Sequence, residues 1–82
     1  MTKLLVFLNG DILISKIEEV PSELGEPDCK LTEPFIVNKD KTLSPWLVEY
    51  SGQNIFMIHS DKILTITSPN ESLTKKYEDL IK

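Results

Sequence analysis

The chain has 82 residues, with 13 acidic and 9 basic side chains and a net charge of −4. All nine basic residues are lysines, so the chain lacks the planar guanidinium that grips phosphate or guanine with two hydrogen bonds. This balance argues against a strong nonspecific polyanion binder and leaves open a small local site for single-stranded nucleic acid. With Cys29 as the sole cysteine and His59 as the sole histidine, we expect no internal disulfide, no metal site and no other cofactor.

A chain of this length predicts a single domain, residues 1–82, with a modest core. Small domains without disulfides or metals often gain stability by oligomerisation, which we therefore expect. The apolar run at residues 4–8 is too short for a signal-peptide core or a membrane span. We accordingly expect a cytoplasmic protein that does not bind membranes.

The first two predicted strands form a hairpin. Residues 3–8 are almost all apolar, which favours a strand buried on both faces, and Asn9-Gly10 follows at once as a tight turn. The chain then returns as a strand over residues 11–20. The apolar period of that strand slips near Ser15-Lys16, which predicts a bend or a bulge there.

A loop rich in proline and glycine, residues 21–28, leads to a third predicted strand over residues 29–37. Pro34 lies within this strand and cannot donate a ladder hydrogen bond, so we expect an edge position or a bulge there. A polar loop, residues 38–42, follows, and residues 46–50 are predicted to be extended.

The last predicted elements are a strand over residues 55–58, a tight turn at 59–62 and a strand over 63–67. Ser68-Pro69-Asn70-Glu71 is typical of a capping box with proline at the first helical position, which predicts a helix over residues 69–81. One apolar stripe, which we expect to pack against the strands, is formed by Leu73, Tyr77, Leu80 and Ile81.

Two short motifs carry a family resemblance. Residues 9–17 resemble the first motif of Sm-like proteins, in which Asn-Gly is followed by spaced aliphatic and small residues. Residues 58–66 resemble the second motif, with His59 at its basic position and Ser60 at its glycine position. The matching residues of the first motif are Asn9, Gly10, Leu13, Ser15 and Ile17.

Over nearly its whole length the chain resembles the small Sm-like proteins of cyanophages and related tailed phages. The shared features are Glu33-Pro34 in the third strand, the Pro45-Trp46 step, and a tail with Pro69, Leu73 and Tyr77. The resemblance implies a mostly β fold, namely a small, strongly bent five-stranded Sm-like barrel with a C-terminal α-helix. A phage origin would place the protein in the host cell cytoplasm.

The resemblance also implies a function. Sm-like proteins form homo-oligomeric rings that bind short single-stranded RNA, and the two motifs together form each nucleotide pocket. Carried over to this chain, the RNA-binding residues are His59, Ser60, Lys62, Cys29 and Lys30.

The loop before the third strand supports a second interpretation. Residues 28–31 offer no aromatic side chain for base stacking, and the preceding loop is acidic. The alternative is therefore an Sm-fold assembly or adaptor module that does not bind nucleic acid, with a protein partner at the acidic loop. For Trp46 and Phe56 we expect packing and not base stacking. Because no nucleophile–base pair, paired carboxylates or phosphate-binding glycine loop stands out, we do not expect an enzyme.

Overall fold

The computed structural model describes residues 2–82, with the backbone alone at residues 48 and 49. The protein is mostly β, with six antiparallel strands in one sheet and one long C-terminal helix. A 3₁₀ turn, Ser60–Lys62, joins the last two strands. The strands are β1 (Thr2–Phe7), β2 (Ile12–Glu19), β3 (Cys29–Val37), β4 (Leu43–Pro45), β5 (Ile55–Ile58) and β6 (Ile63–Thr67), and the helices are α1 (Val48–Ser51) and α2 (Glu71–Ile81).

The strand order is β4-β3-β2-β1-β6, and β5 also pairs with β3. Strand β2 occupies one edge of β3, so β4 and β5 must follow each other along the opposite edge. The registers agree, because Phe35 of β3 faces Pro45 and Leu31 of β3 faces Phe56. Six strands thus fill five positions across the sheet, with the last position divided between β4 and β5.

The predicted mostly β fold and C-terminal helix are confirmed, whereas the sheet has six strands instead of the five expected and is open instead of closed into a barrel. Strands β5 and β6 stand at its two ends, and within residues 2–82 no pairing joins them. The connection between them has only four residues, 59–62, and is tightened by a bond from the Lys62 N–H to the His59 carbonyl (3.1 Å). A connection this short requires the sheet to bend until its two end strands approach each other at one corner.

The predicted hairpin between β1 and β2 is confirmed, with Val6 opposite Ile12. Its turn is closed by a bond from the Gly10 N–H to the Phe7 carbonyl (2.9 Å). Gly10 has a φ of 93°, a conformation that glycine adopts without steric cost. This arrangement is typical of a three-residue loop in which the glycine forms the bulge after the turn.

The irregularity predicted near Ser15 and Pro34 is also confirmed. The β2–β3 register shifts between Ile14 and Lys16, where two β3 residues, Glu33 and Pro34, oppose Ser15 alone. Pro34 also lies between the stretches of β3 that pair with β5 and β4, so it does not interrupt either ladder. The strand accommodates its extra residue at Glu33, whose φ is 54°.

The prediction that residues 46–50 are extended is wrong, because Val48–Ser51 forms the single helical turn α1. Leu47 has a φ of 64° and its carbonyl accepts hydrogen bonds from the N–H groups of Tyr50 and Ser51, both at 3.0 Å. Both flanking strands pair with β3, so the chain between them must leave that edge and come back. A compact helical turn makes this excursion possible.

Helix α2 begins at Glu71, two residues later than predicted. Its N-cap is Asn70, whose side-chain oxygen accepts a bond from the Leu73 N–H (2.9 Å). The predicted cap, Ser68, instead accepts a bond from the Lys3 ammonium (3.1 Å). Asparagine is at least as strong a cap as serine, which explains the later start.

The core lies between the curved faces of the sheet and centres on Leu5, Leu13 and Leu31, all fully buried. Trp46 packs against this cluster and meets the rings of Phe7 and Phe56 edge to face, with centroids 5.9 and 5.6 Å apart. These contacts agree with the packing role expected of the tryptophan.

Tyr77 anchors helix α2 to β2 and β3, on the face of these strands opposite the core. Its ring meets Phe35 edge to face (5.9 Å), and its hydroxyl enters the bulge. There it accepts from the Lys16 N–H (3.2 Å) and lies 3.1 and 2.9 Å from the carbonyl oxygens of Thr32 and Glu33. The helix therefore satisfies backbone groups that the irregular ladder leaves without strand partners.

Candidate functional site

The acidic loop before β3 and the 59–62 turn, which belongs to the second Sm-like motif, lie side by side. Asp28, at the end of the loop between β2 and β3, receives a bond at its carbonyl from the Val20 N–H (3.0 Å). Its own N–H donates to the Ile58 carbonyl at the end of β5 (3.1 Å). Backbone pairing thus places the acidic loop beside the turn.

Asp28 and Ser60 form the strongest link between these segments. One carboxylate oxygen of Asp28 accepts from the Ser60 N–H (2.7 Å) and the other from the Ser60 hydroxyl (2.6 Å). The hydroxyl hydrogen bond, followed by the backbone one, holds the pKa of Asp28 below its ordinary value of 3.8. Both carboxylate oxygens are engaged, so Asp28 acts here as a cap for the turn.

His59 closes the other side of the same site. Its Nε2 lies 3.2 Å from the Gly25 carbonyl, a contact that requires a proton on Nε2 because a carbonyl can only accept. The ring is otherwise exposed. A shallow pocket of about 230 Å³ lies between the loop and the turn and is lined by Gly25, Glu26, Asp28, His59, Ser60 and Asp61.

The structure separates the remaining predicted site residues. Cys29 points towards the core and is 4% exposed, and burial, with the nearby Asp28 and Glu19 charges, raises the pKa of its thiol. Lys30, the next residue of β3, points to the opposite face of the sheet and is ion-paired with Glu18 (2.8 Å). Lys62 is exposed at the end of the turn.

His59 and Ser60 therefore share one pocket, and Lys62 adjoins it along the chain. Lys30 lines a different pocket, between β2 and β3. The direct role of Asp28 is not apparent from the sequence, since its partner is 32 positions away. One sequence signal could have revealed this contact. Asp28 directly precedes β3, and Ser60 lies in the turn that directly follows β5, the strand that pairs with β3.

The charge of the pocket is its main chemical property. Three carboxylates, those of Glu26, Asp28 and Asp61, line it together with one imidazole. Such a lining disfavours phosphate oxygens and favours groups that donate hydrogen bonds. Among the residues that the structure describes, no group of three or more potential ligands could hold a metal ion.

A second feature is the pair of free strand edges at the ends of the sheet. Strand β5 uses one edge to pair with β3, and β6 uses one edge to pair with β1, which leaves the outer edge of each strand unpaired within the described chain. Four large apolar side chains on these strands are 45–65% exposed. We call them the edge patch: Ile55, Met57, Leu64 and Ile66.

Fold and site together define a small, mostly β protein with an open antiparallel sheet, two free edges and an acidic turn pocket. The chain belongs to a family of unknown function, DUF6561, whose model matches residues 1–82. No curated protein matches the chain. In the part of the chain that the structure describes, no helix has the length and apolarity needed to cross a membrane.

Proposed function

We propose that the protein is an Sm-like subunit that assembles into a homo-oligomeric ring by pairing β5 of one copy with β6 of the next. The observation that carries the proposal is the pair of free edges bearing the edge patch. Head-to-tail pairing of two different edges is a heterologous contact, and such contacts form rings when the rotation between copies closes. A bent sheet whose end strands approach each other at one corner supports the Sm-like part of the proposal.

The composition of the two end strands supports this proposal. Exposed strand edges are normally protected from pairing by charged residues or proline. Strand β5 reads Ile-Phe-Met-Ile and β6 reads Ile-Leu-Thr-Ile-Thr, with neither type of residue in either strand. Edges of this kind favour pairing with another chain.

Light scattering coupled to size-exclusion chromatography tests the ring. The wild-type protein should elute as one defined oligomer, and Met57→Lys or Ile66→Lys should shift it towards the monomer, because each places a charge in the paired edge. Leu24→Lys is the matched control, since Leu24 is fully exposed in the loop between β2 and β3 and belongs to neither edge strand. A wild-type monomer at high concentration, or an oligomer insensitive to both edge variants, would refute the assembly.

For the assembled ring we propose weak binding of short single-stranded RNA at the 59–62 turn. His59 and Ser60 share a pocket there, and Lys62 adjoins it. Ring symmetry would repeat this site and give avidity to a contact that is weak in each copy. Because the pocket is acidic, recognition would rely on base edges that donate hydrogen bonds and on the Lys62 charge.

Fluorescence anisotropy with U-rich and A-rich oligoribonucleotides at low salt tests RNA binding. The double variant His59→Ala/Lys62→Ala should weaken binding to the ring. Lys30→Ala is the control, because Lys30 is ion-paired on the other face of the sheet and should leave binding unchanged. If wild-type rings give no anisotropy change at high micromolar concentration, the RNA proposal fails and the assembly proposal stands.

The acidity of the pocket favours a second candidate function, an assembly or adaptor module that binds a protein and not nucleic acid. Loop residues 21–28 and the turn together present Glu23, Glu26 and Asp61 beside Asp28, a surface complementary to a basic partner. A pull-down with the ring that recovers the same protein with and without ribonuclease supports this candidate. Loss of that protein after ribonuclease treatment would instead favour the RNA-binding ring.

A further inference from the structure

A small pocket near the end of β5 opposite the 59–62 turn contains a carboxylate oxygen without a partner. The pocket, about 220 Å³ in volume, lies between the C-terminal end of α2 and the junction of β3 with β4. Within the described residues, Oε2 of Glu33 is buried and makes no hydrogen bond. The pocket is lined by Glu33, Pro34, Phe35, Pro45, Asn54, Leu80 and Ile81.

The backbone fixes Glu33 in place from both sides. Its N–H donates to the Asn54 carbonyl (2.6 Å), and its carbonyl accepts from the Tyr77 hydroxyl (2.9 Å). These bonds hold Glu33 at its positive φ of 54°, a conformation costly for a residue with a side chain. The side chain is anchored only at Oε1, 3.5 Å from the Asn54 amide. The carboxylate is therefore held at the pocket while half of its acceptor capacity stays free.

The surroundings of Glu33 select for a positive charge. Buried carboxylate oxygens are normally paired, so an orphan one indicates an absent partner that donates hydrogen bonds. Leu80 and Ile81 belong to the last turn of α2, whose terminal carbonyl groups carry partial negative charge. That turn contains no basic residue, and the ammonium of the C-cap Lys82 lies 3.8 Å from the Asp79 carboxylate, so the helix carbonyl groups add to the negative potential of the pocket.

The other walls select for an apolar stem. Pro34, Phe35, Pro45 and the two aliphatic residues of α2 offer hydrocarbon surface, and one carboxylate with one amide is too few oxygen ligands for a hard metal cation. The volume is several times that of one water molecule, which occupies about 30 Å³ of liquid. We propose that this pocket binds a primary alkylammonium group, either of a small amine or of a lysine side chain, through Glu33.

Chemical-shift changes in the NMR spectrum of the full-length protein on addition of n-butylammonium chloride test the proposal. Signals of residues near the pocket, such as Phe35 and Leu80, should shift and saturate at millimolar ligand. Sodium butyrate and 1-butanol share the stem without the positive charge and should have much smaller effects. Nα-acetyl-lysine methylamide distinguishes the two sources of the alkylammonium group. If it binds, the ligand is a lysine side chain of a partner chain. If butylammonium binds and the lysine derivative does not, the ligand is a small free amine.

Three variants identify the role of the charge. Glu33→Gln keeps the shape of the side chain and should weaken butylammonium binding about tenfold or more, the effect of losing a charge-assisted hydrogen bond. Glu78→Gln makes the same change on an exposed part of α2 and should leave binding unchanged. Leu80→Lys introduces an ammonium group of the protein itself at the pocket, at a position that is half exposed. This ammonium should compete with butylammonium for Glu33, and the test remains available if Glu33→Gln does not fold.

The proposal is overturned if wild-type signals do not saturate at high-millimolar butylammonium, which would mean that water alone satisfies Glu33. It is also overturned if butanol shifts the same signals equally, or if a folded Glu33→Gln protein retains full affinity. None of these results depends on ring formation or on RNA, because the pocket includes neither the edge patch nor the 59–62 turn.

Discussion

Replacing Tyr77 with phenylalanine removes one oxygen atom from the fully buried junction between α2 and the β2–β3 bulge. Without it the Lys16 N–H and the Glu33 carbonyl lose their partner, whereas the Thr32 carbonyl keeps its bond from the Ser15 hydroxyl (3.1 Å). A buried polar group left without a partner costs about 1–3 kcal/mol. We expect Tyr77→Phe to lower the free energy of unfolding by about that amount, since the ring itself still fits.

Urea unfolding followed by far-UV circular dichroism measures the effect, at one fixed protein concentration so that assembly does not change the comparison. In a domain of this size each kcal/mol also lowers the melting temperature by about 4–8 °C. Tyr50→Phe is the control, because the Tyr50 side chain is 88% exposed and should change stability by less than about 0.5 kcal/mol. If Tyr77→Phe changes stability as little as the control does, the hydroxyl does not satisfy the bulge.

Three further predictions concern the cap, the turn and the thiol. Asn70→Ala should lower the free energy of unfolding by about 1 kcal/mol through loss of the α2 cap, measured by urea unfolding, with Asn70→Asp largely retaining it. Ser60→Ala should raise the pKa of Asp28 towards 3.8 in an NMR titration and leave that of Asp40 unchanged. In the wild type, the stability from this contact is present above about pH 4 and lost as the pH falls through the lowered pKa of Asp28. Cys29 should react with iodoacetamide much more slowly in the folded protein than in urea at the same pH, and equal rates would contradict its burial.

Local chemistry predicted most of the strands. Gly10 provides the positive φ that the first hairpin needs, and the broken apolar period at Ser15 marks the bulge that the structure contains. The segment at residues 46–50 was mispredicted because the controlling constraint is not local. Pairing of both β4 and β5 with β3 forces the chain between them into a compact excursion, and nothing in those five residues shows it.

The candidate site was only partly predictable for the same reason. The sequence drew attention to His59 and Ser60, which do share a pocket, but side-chain direction on β3 decides the remainder. Cys29 and Lys30 are adjacent in sequence and so point to opposite faces of the sheet. The hydroxyl of Tyr77 reaches the backbone of Lys16 across 61 positions, a contact that the helical stripe predicts as packing and not as hydrogen bonding.

The distribution of apolar side chains connects stability with assembly. Among the side chains that the structure describes, six hydrophobic residues are buried, whereas ten large hydrophobic side chains are exposed. Four of those ten form the edge patch, on β5 and β6, which have a free edge and lack both charge and proline. A chain of 82 residues without a disulfide has little core to spare, so leaving this surface in water forgoes about 25 cal/mol for each Å² that a partner would cover. Pairing β5 with β6 of another copy would satisfy both rows of backbone groups and cover part of the patch in one contact. The two strands that leave this apolar surface exposed are thus the two that the proposed ring would pair.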